Sequence, residues 1–229
     1  IITSNKSYIV TYNENLRESA TFLYFTEHFL KINSPVPEIY FVSPDKKIYI
    51  QQDFGRISLL NELEKKGPDD HVYNLFKKSV KTLAWLQIKG IKDLDDSYCL
   101  TSKEFGKQAI LSDLLYFKYY FLDTLKIPYD KEKLIDDFDA LSTYLTHVEY
   151  KYFMFRDFQS RNIYIQNDEV HFIDYQGGMK GALQYDVASL LWQARANLSD
   201  EWKNSLLEYY MNCISEILQN QIDSNRFTS

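Results

Sequence analysis

Between Tyr152 and Gly178 the chain reads Tyr-Phe-Met-Phe-Arg-Asp-Phe-Gln-Ser-Arg-Asn-Ile-Tyr-Ile, then Gln-Asn-Asp-Glu, then Val-His-Phe-Ile-Asp-Tyr-Gln-Gly-Gly. The residues with chemistry here are Asp157, Asn162 and Asp174. Hard oxygen donors of this kind suit Mg²⁺, which takes one or two protein carboxylates and completes its shell with phosphates and water. Asp174 and the side-chain oxygen of Asn162 are the expected metal ligands. Asp157, on the crest of a polar loop, is the expected acceptor of a proton from a substrate hydroxyl aimed at a γ-phosphate. Arg156 and Arg161 flank it, to stabilise either the loop or the developing phosphate charge. Gly177, Gly178 and Gly181 are three of the seven glycines in the chain and fall within five positions, which implies unusual backbone angles or close approach to a ligand.

These residues need a scaffold. Tyr152–Phe155, Ile163–Ile165 and Val170–Ile173 are short apolar runs rich in β-branched and aromatic residues, and read as strands. Gln166 to Glu169 joins the last two as a tight hairpin. If Ile163 faces Ile173, Asn162 faces Asp174 at the open end, where the Arg156–Arg161 loop delivers Asp157. Asp186 has two readings, a first-turn carboxylate complementing a helix dipole or a brace for the loop.

The rest of the chain divides in two. Ser7–Tyr12 is an expected strand and Asn15 to about Leu30 a helix, with Leu16, Ala20, Leu23 and Glu27 along one face. Glu38–Val42 and Lys47–Gln52 form a second hairpin. After Asp53-Phe54-Gly55 the pattern turns helical. Ser58 caps a short helix closed by Gly67-Pro68. A longer one follows Asp69-Asp70, with Val72, Phe76, Val80, Leu83 and Leu86 at helical spacing. Further helices are expected over Lys107 to about Lys126, after Asp130, through Val187 to Leu198, and after Ser199-Asp200. The expectation is an α+β chain with a small antiparallel-sheet N-terminal lobe (1–53) and a mostly helical C-terminal lobe (54–229) that carries the catalytic hairpin.

Composition excludes several alternatives. With 229 residues and a net charge of −6 the chain is no general nucleic-acid binder, because basic residues occur only as scattered pairs. No apolar run is long enough for a membrane span. Cys99 and Cys213 have no metal-ligand spacing and suit a reduced, cytoplasmic chain. The four histidines form no zinc pattern.

Arg156-Asp157-Phe158-Gln159-Ser160-Arg161-Asn162 resembles the catalytic loop of the protein-kinase-like fold, and Asp174-Tyr175-Gln176-Gly177 stands where that fold has its metal-binding Asp-Phe-Gly. With Tyr185-Asp186-Val187-Ala188, the segment is similar to the aminoglycoside phosphotransferase and choline kinase family. Its motif form resembles bacterial cell-wall amino-sugar kinases more than antibiotic kinases, which tend to have His-Gly-Asp. The resemblance implies a bilobal fold, ATP and Mg²⁺ as cofactors, and a small-molecule acceptor, with no nucleic-acid or membrane partner. It implies Gln52, Asp53 and Phe54 as the adenine-binding hinge, Asp186 as a structural residue, and Gln176 and Gly177 on the acceptor side. The Gly-rich phosphate hairpin would precede residue 7, so the N-terminal lobe reads as truncated, with a further segment upstream left open. The strand Tyr8–Tyr12 lacks the expected phosphate-binding Lys, Lys6 being too early, while Glu18 is the candidate for its helix partner.

The leading function is therefore ATP-dependent phosphorylation of a small polyol, a sugar or amino sugar first. Tyr116, Tyr119 and Tyr120 have two readings, a stack for a sugar face or, more commonly at helical spacing, core. Asp113 and Asp123 would attract a cationic aminoglycoside or choline-like acceptor. The alternative is a nucleotide- or sugar-binding pseudokinase, argued against by the joint retention of Asp157, Asn162 and Asp174. A protein kinase is disfavoured by the short span from Asp174 to Asp186.

Overall fold

The computed structural model describes residues 6–148 and 151–228. Strand β1 (Tyr8–Tyr12) pairs antiparallel with β3 (Ile48–Gln52), which also pairs with β2 (Ile39–Val42), giving the order β1-β3-β2. The turn between β2 and β3 is held by Asp45, whose carboxylate accepts from Ser43 Oγ at 2.6 Å and Lys47 N at 3.1 Å. Helix α1 (Leu16–Lys31) starts where the Asn15 side chain accepts from Glu18 N. Its buried arc is Phe22, Phe25 and Phe29, with Ser19, Thr21 and Thr26 between them. The expected arc of Leu16, Ala20, Leu23 and Glu27 is displaced: Leu16 is exposed, and Glu27 pairs with Lys31 in solvent. Three phenylalanines bury more apolar area than that arc offers, at about 1.5–3 kcal/mol each, so they set the rotation of the helix.

That arc joins the sheet to the rest of the molecule. Phe22 stacks between Tyr49 of β3 and Tyr175, with centroids at 5.0 and 5.4 Å, and Phe29 meets Phe153 edge-on at 4.9 Å. Thr26 Oγ1 hydrogen-bonds the hydroxyl of the fully buried Tyr175.

Ser58 caps α2 (Leu59–Lys66) in a reciprocal capping box with Asn61, and Asp69 caps α3 (Asp70–Gly90). Val72, Phe76, Val80, Leu83 and Leu86 are all buried, as their spacing predicts. They form the core with Leu206, Tyr210 and Cys213 of the later helix α7 (Asp200–Leu218). The expected helix from Lys107 divides: α4 (Lys107–Phe117) passes into a π-helical turn over Lys118–Asp123 before α5 (Lys131–Leu145). Tyr116, Tyr119 and Tyr120 are not core; they are 64%, 57% and 67% exposed.

Between α5 and α7 lie two short ribbons and one helix. β4 (Tyr152–Met154) pairs with β7 (Met179–Gly181), and β5 (Ile163–Gln166) with β6 (Glu169–Phe172). Helix α6 (Leu183–Leu191) ends well short of the Leu198 that the apolar pattern suggested; Ala196 and Leu198 are still buried, but from a loop. The chain closes with α8 (Ser224–Thr228).

Candidate active site

The β5–β6 hairpin turns through two residues, Asn167 and Asp168, both at positive φ (54° and 60°), instead of four. Two left-handed central residues make the tight turn whose twist matches paired strands, and Asn and Asp tolerate that conformation. The register is consequently one residue off expectation, with Ile163 facing Phe172 and Ile173 N donating to Asn162 O at 3.1 Å. Asn162 and Asp174 nevertheless meet. Asp174 has left the ladder at φ +70°, and Asn162 Nδ2 donates to its Oδ2 at 3.2 Å and to Asp157 O at 2.9 Å. Asn162 is buried, and its amide ties the loop crest to the hairpin end.

The loop is fixed from beneath by Asp186. This fully buried carboxylate sits in the first turn of α6 and accepts from Phe155 N (2.8 Å), Arg156 N (3.0 Å) and Gln87 Nε2 (2.9 Å), so its first-turn position and its contact with the loop coexist. Burial pushes its carboxyl up to about 7 against the pull of those donors. Arg156, at φ +79°, sends its guanidinium to Asp113 of α4 in a two-pronged pair at 2.9 and 3.2 Å, over the face of Phe105. Asp157 is left exposed beside the bend. Partial desolvation and then the Asp174 charge raise its carboxyl above the usual range, while Arg156 and Arg161 pull it down.

A cavity of about 350 Å³ opens between the three-stranded sheet and this site. Its lining includes Gln52, Asp53, Phe54, Glu18, Asp174 and Gln176. Among the described residues, neither the carbonyl of Asp53 nor the N–H of Phe54 has a hydrogen-bond partner, so this segment offers a free donor and acceptor to a ligand. Phe54 is buried and stacks on His171 at 4.1 Å, which couples the segment to the hairpin. Glu18 accepts from Asn13 Nδ2 at 3.2 Å. Gln176 donates to Asp174 Oδ1 at 2.8 Å, on the side of this cavity.

The glycine cluster has a different basis from the one its composition suggested. Gly178 and Gly181 have no positive φ. A Cβ on Gly178 would overlap the edge of the Phe153 ring at Cζ, and one on Gly181 would stand 2.6 Å from Met154. Both let β7 lie against β4; only Gly177, whose added Cβ would be 3.8 Å from Asp157 Oδ2, borders the site. Asp113 and Asp123, expected to draw cations, are already paired, Asp113 with Arg156 and Asp123 with Lys118 and Tyr129.

The sequence pattern of the phosphotransferase enzyme family matches residues 2–216. The chain belongs to that family. Its fold is also that of known kinases. Choline kinase LicA from Streptococcus pneumoniae superposes with a TM-score of 0.65 at 15% identity, over 99% of this chain and 73% of that one. A gentamicin complex of APH(2'')-IIa gives 0.65 at 18% identity, over 93% and 73%. ADP-bound aminoglycoside phosphotransferase APH(2'')-Ib gives 0.61 at 17%, over 95% and 78%. No curated protein sequence matches the chain. The chain thus belongs to a phosphotransferase family and has the protein-kinase-like fold of these kinases.

Sequence reasoning missed three residues of this phosphotransferase. Gln87 sits mid-helix in α3, where a lone buried amide was its only signal; it links Asp186 to the Tyr210 hydroxyl. Gln193 accepts from Ser160 Oγ at 2.8 Å and so holds the loop's far end. Gln51 lines the cavity with a buried Oε1 that has no hydrogen-bond partner among the described residues.

Proposed function

We propose that the chain transfers the γ-phosphate of ATP to a hydroxyl of a small polyol, a sugar or amino sugar in the first instance. The observation that carries this is the convergence of Asp157 and Asn162 on Asp174, which lines a cavity that also takes in Asp53 and Phe54 with their free backbone groups. In this reading residues 1–53 hold the nucleotide and 54–229 hold the catalytic groups and the acceptor.

The residues fit the groups assigned to them. Adenine presents an edge with one amino donor and ring-nitrogen acceptors, which the Asp53 carbonyl and Phe54 N–H complement. The orphaned Gln51 Oε1 calls for a donor, and an exocyclic amine would supply it. Among the described residues no three His, Cys, Asp or Glu side chains gather as a metal cluster. Mg²⁺ needs none, since Asp174 and Asn162 provide hard oxygens and phosphates provide the remainder. When bound, the ion neutralises charge on the phosphate oxygens.

Asp157 takes the proton of the acceptor hydroxyl as its oxygen forms a bond to the γ-phosphorus and the bond from that phosphorus to the β-bridging oxygen breaks, releasing ADP. The hydrogen bond from Asn162 to the Asp157 carbonyl sets the crest, and Asp186 and the Asp113–Arg156 pair keep it from relaxing. Such positioning supplies much of the rate in phosphoryl transfer. Mg²⁺-dependent loss of ATP, measured across neutral sugars, amino sugars, aminoglycosides and choline, tests the reading. Stimulation by one class, abolished in Asp157→Asn, supports it, and an ATP loss indifferent to that substitution refutes it.

A further inference from the structure

The loop Arg156–Asn162 borders two hollows. The nucleotide cavity touches neither Gln159 nor Arg161. Those two side chains instead line a second hollow of about 380 Å³, together with Ser189 of α6 and Trp192 and Arg195 just beyond the end of that helix. Gln159 and Arg161 belong to the same loop as Asp157, so the hollow borders the catalytic loop.

Its chemistry has one sign. No carboxylate lines it, and two guanidiniums do. Arg161 is exposed and has no hydrogen bond or ion pair among the described residues, yet it is near enough to Asp157 to depress its carboxyl. Arg195 is anchored through Nε to Glu64 Oε1 at 2.9 Å, and its terminal nitrogens have no hydrogen-bond partner among the described residues. Trp192 is 51% exposed and offers a flat apolar face, the kind of surface on which the C–H face of a sugar ring packs. The carboxylates a polycationic acceptor would need, Asp113 and Asp123, are spent on internal pairs.

We propose that this hollow is the acceptor subsite and that the acceptor is a sugar carrying an anionic group, a carboxylate or phosphate, held by Arg161 and Arg195 with its ring on Trp192. The proposal rests on the phosphotransfer reading for the word acceptor, but the binding chemistry stands apart from turnover. Guanidinium groups recognise both anions through paired, charge-assisted hydrogen bonds, which a neutral or cationic sugar cannot form.

The test is direct binding to the full-length protein at fixed ionic strength, by calorimetry, of four sugars alike in ring and different in charge: glucose, glucosamine, glucuronate and glucose 6-phosphate. The expected result is that glucuronate or glucose 6-phosphate binds about tenfold or more tightly than the other two, the scale of a charge-assisted hydrogen bond. The better of the two identifies the anion. Arg161→Ala and Arg195→Ala should each erase that preference, and Arg195→Ala should do so while leaving ATP binding unchanged. Equal binding of all four, a preference for glucosamine, binding of none, or a preference that survives both substitutions overturns the proposal. ATP turnover separates the two claims. Phosphorylation confined to neutral or cationic sugars removes the anionic subsite and keeps the kinase. Anion-selective binding with no acceptor-stimulated ATP loss removes the kinase and keeps the subsite.

Discussion

Replacing Asp186 by Asn should change stability by an amount that depends on pH. The wild-type carboxylate receives two backbone N–H groups and the Gln87 amide in a fully buried position. Asn keeps one carbonyl oxygen but turns the other into a donor facing a donor, leaving one buried N–H unmatched, at about 1–3 kcal/mol. Against this, the buried carboxyl titrates at about 7 in the folded chain, from an ordinary value of 3.8. The folded state therefore holds more protons than the unfolded one between those values, and this group's contribution to stability falls as the pH rises through that window, by about 4 kcal/mol in total. Asn carries no charge and escapes that loss. At pH 4–5 Asp186→Asn should be the less stable protein by about 1–3 kcal/mol, with the gap closing or reversing by pH 8. Denaturant unfolding at pH 5, 6.5 and 8 reads it directly. A gap that stays constant across the series would mean that the carboxyl does not titrate there, and would refute the reasoning. Because Asp186 holds the backbone of Phe155 and Arg156, kcat should fall in the variant while the KM for ATP holds.

Other expectations follow from single contacts. Gly178→Ala forces a methyl against the edge of the Phe153 ring and should destabilise by about 1–3 kcal/mol, seen as a lower Tm. Asp157 must be ionised to accept a proton, and its carboxyl is raised, so kcat/KM should fall with decreasing pH at a higher pH than an ordinary Asp would give. Removing a positive neighbour in Arg161→Gln should move that acid limb higher still. Gln51→Leu removes the unpaired amide from the nucleotide cavity and should weaken ATP about fivefold to tenfold with little effect on GTP, the scale of one hydrogen bond. Arg156→Gly relieves a positive φ but loses the pair to Asp113, so stability should shift by less than about 1 kcal/mol while kcat drops.

The sequence made the site legible to the extent that the chemistry is local. The strand–loop–hairpin pattern located Asp157, Asn162 and Asp174, because short β-branched runs bounded by turn residues leave few alternatives. Capping residues such as Ser58, Asp69 and Ser199 fixed helix starts for the same reason, with their side chains bonding the backbone two or three residues on. What failed was long-range. The face of α1 depends on which rings Tyr49, Tyr175 and Phe153 present to it, and none of these is a neighbour in sequence. The hairpin register turned on whether two or four residues make a turn, and one residue's difference reverses which strand positions face each other. The glycines looked like ligand contacts because β7, which Gly178 precedes and Gly181 ends, is three residues long and pairs with β4 across 24 intervening positions. Gln87 and Gln193 were invisible, since nothing local marks a buried amide as a tie between elements.

The central claim is that Asp157 receives the acceptor proton. Its most direct test is single-turnover transfer from ATP to a stimulating acceptor in Mg²⁺, comparing the full-length protein with Asp157→Asn. The account predicts a fall of about 10²–10⁴-fold in the transfer rate with nucleotide binding intact. Transfer at the wild-type rate in Asp157→Asn would contradict it.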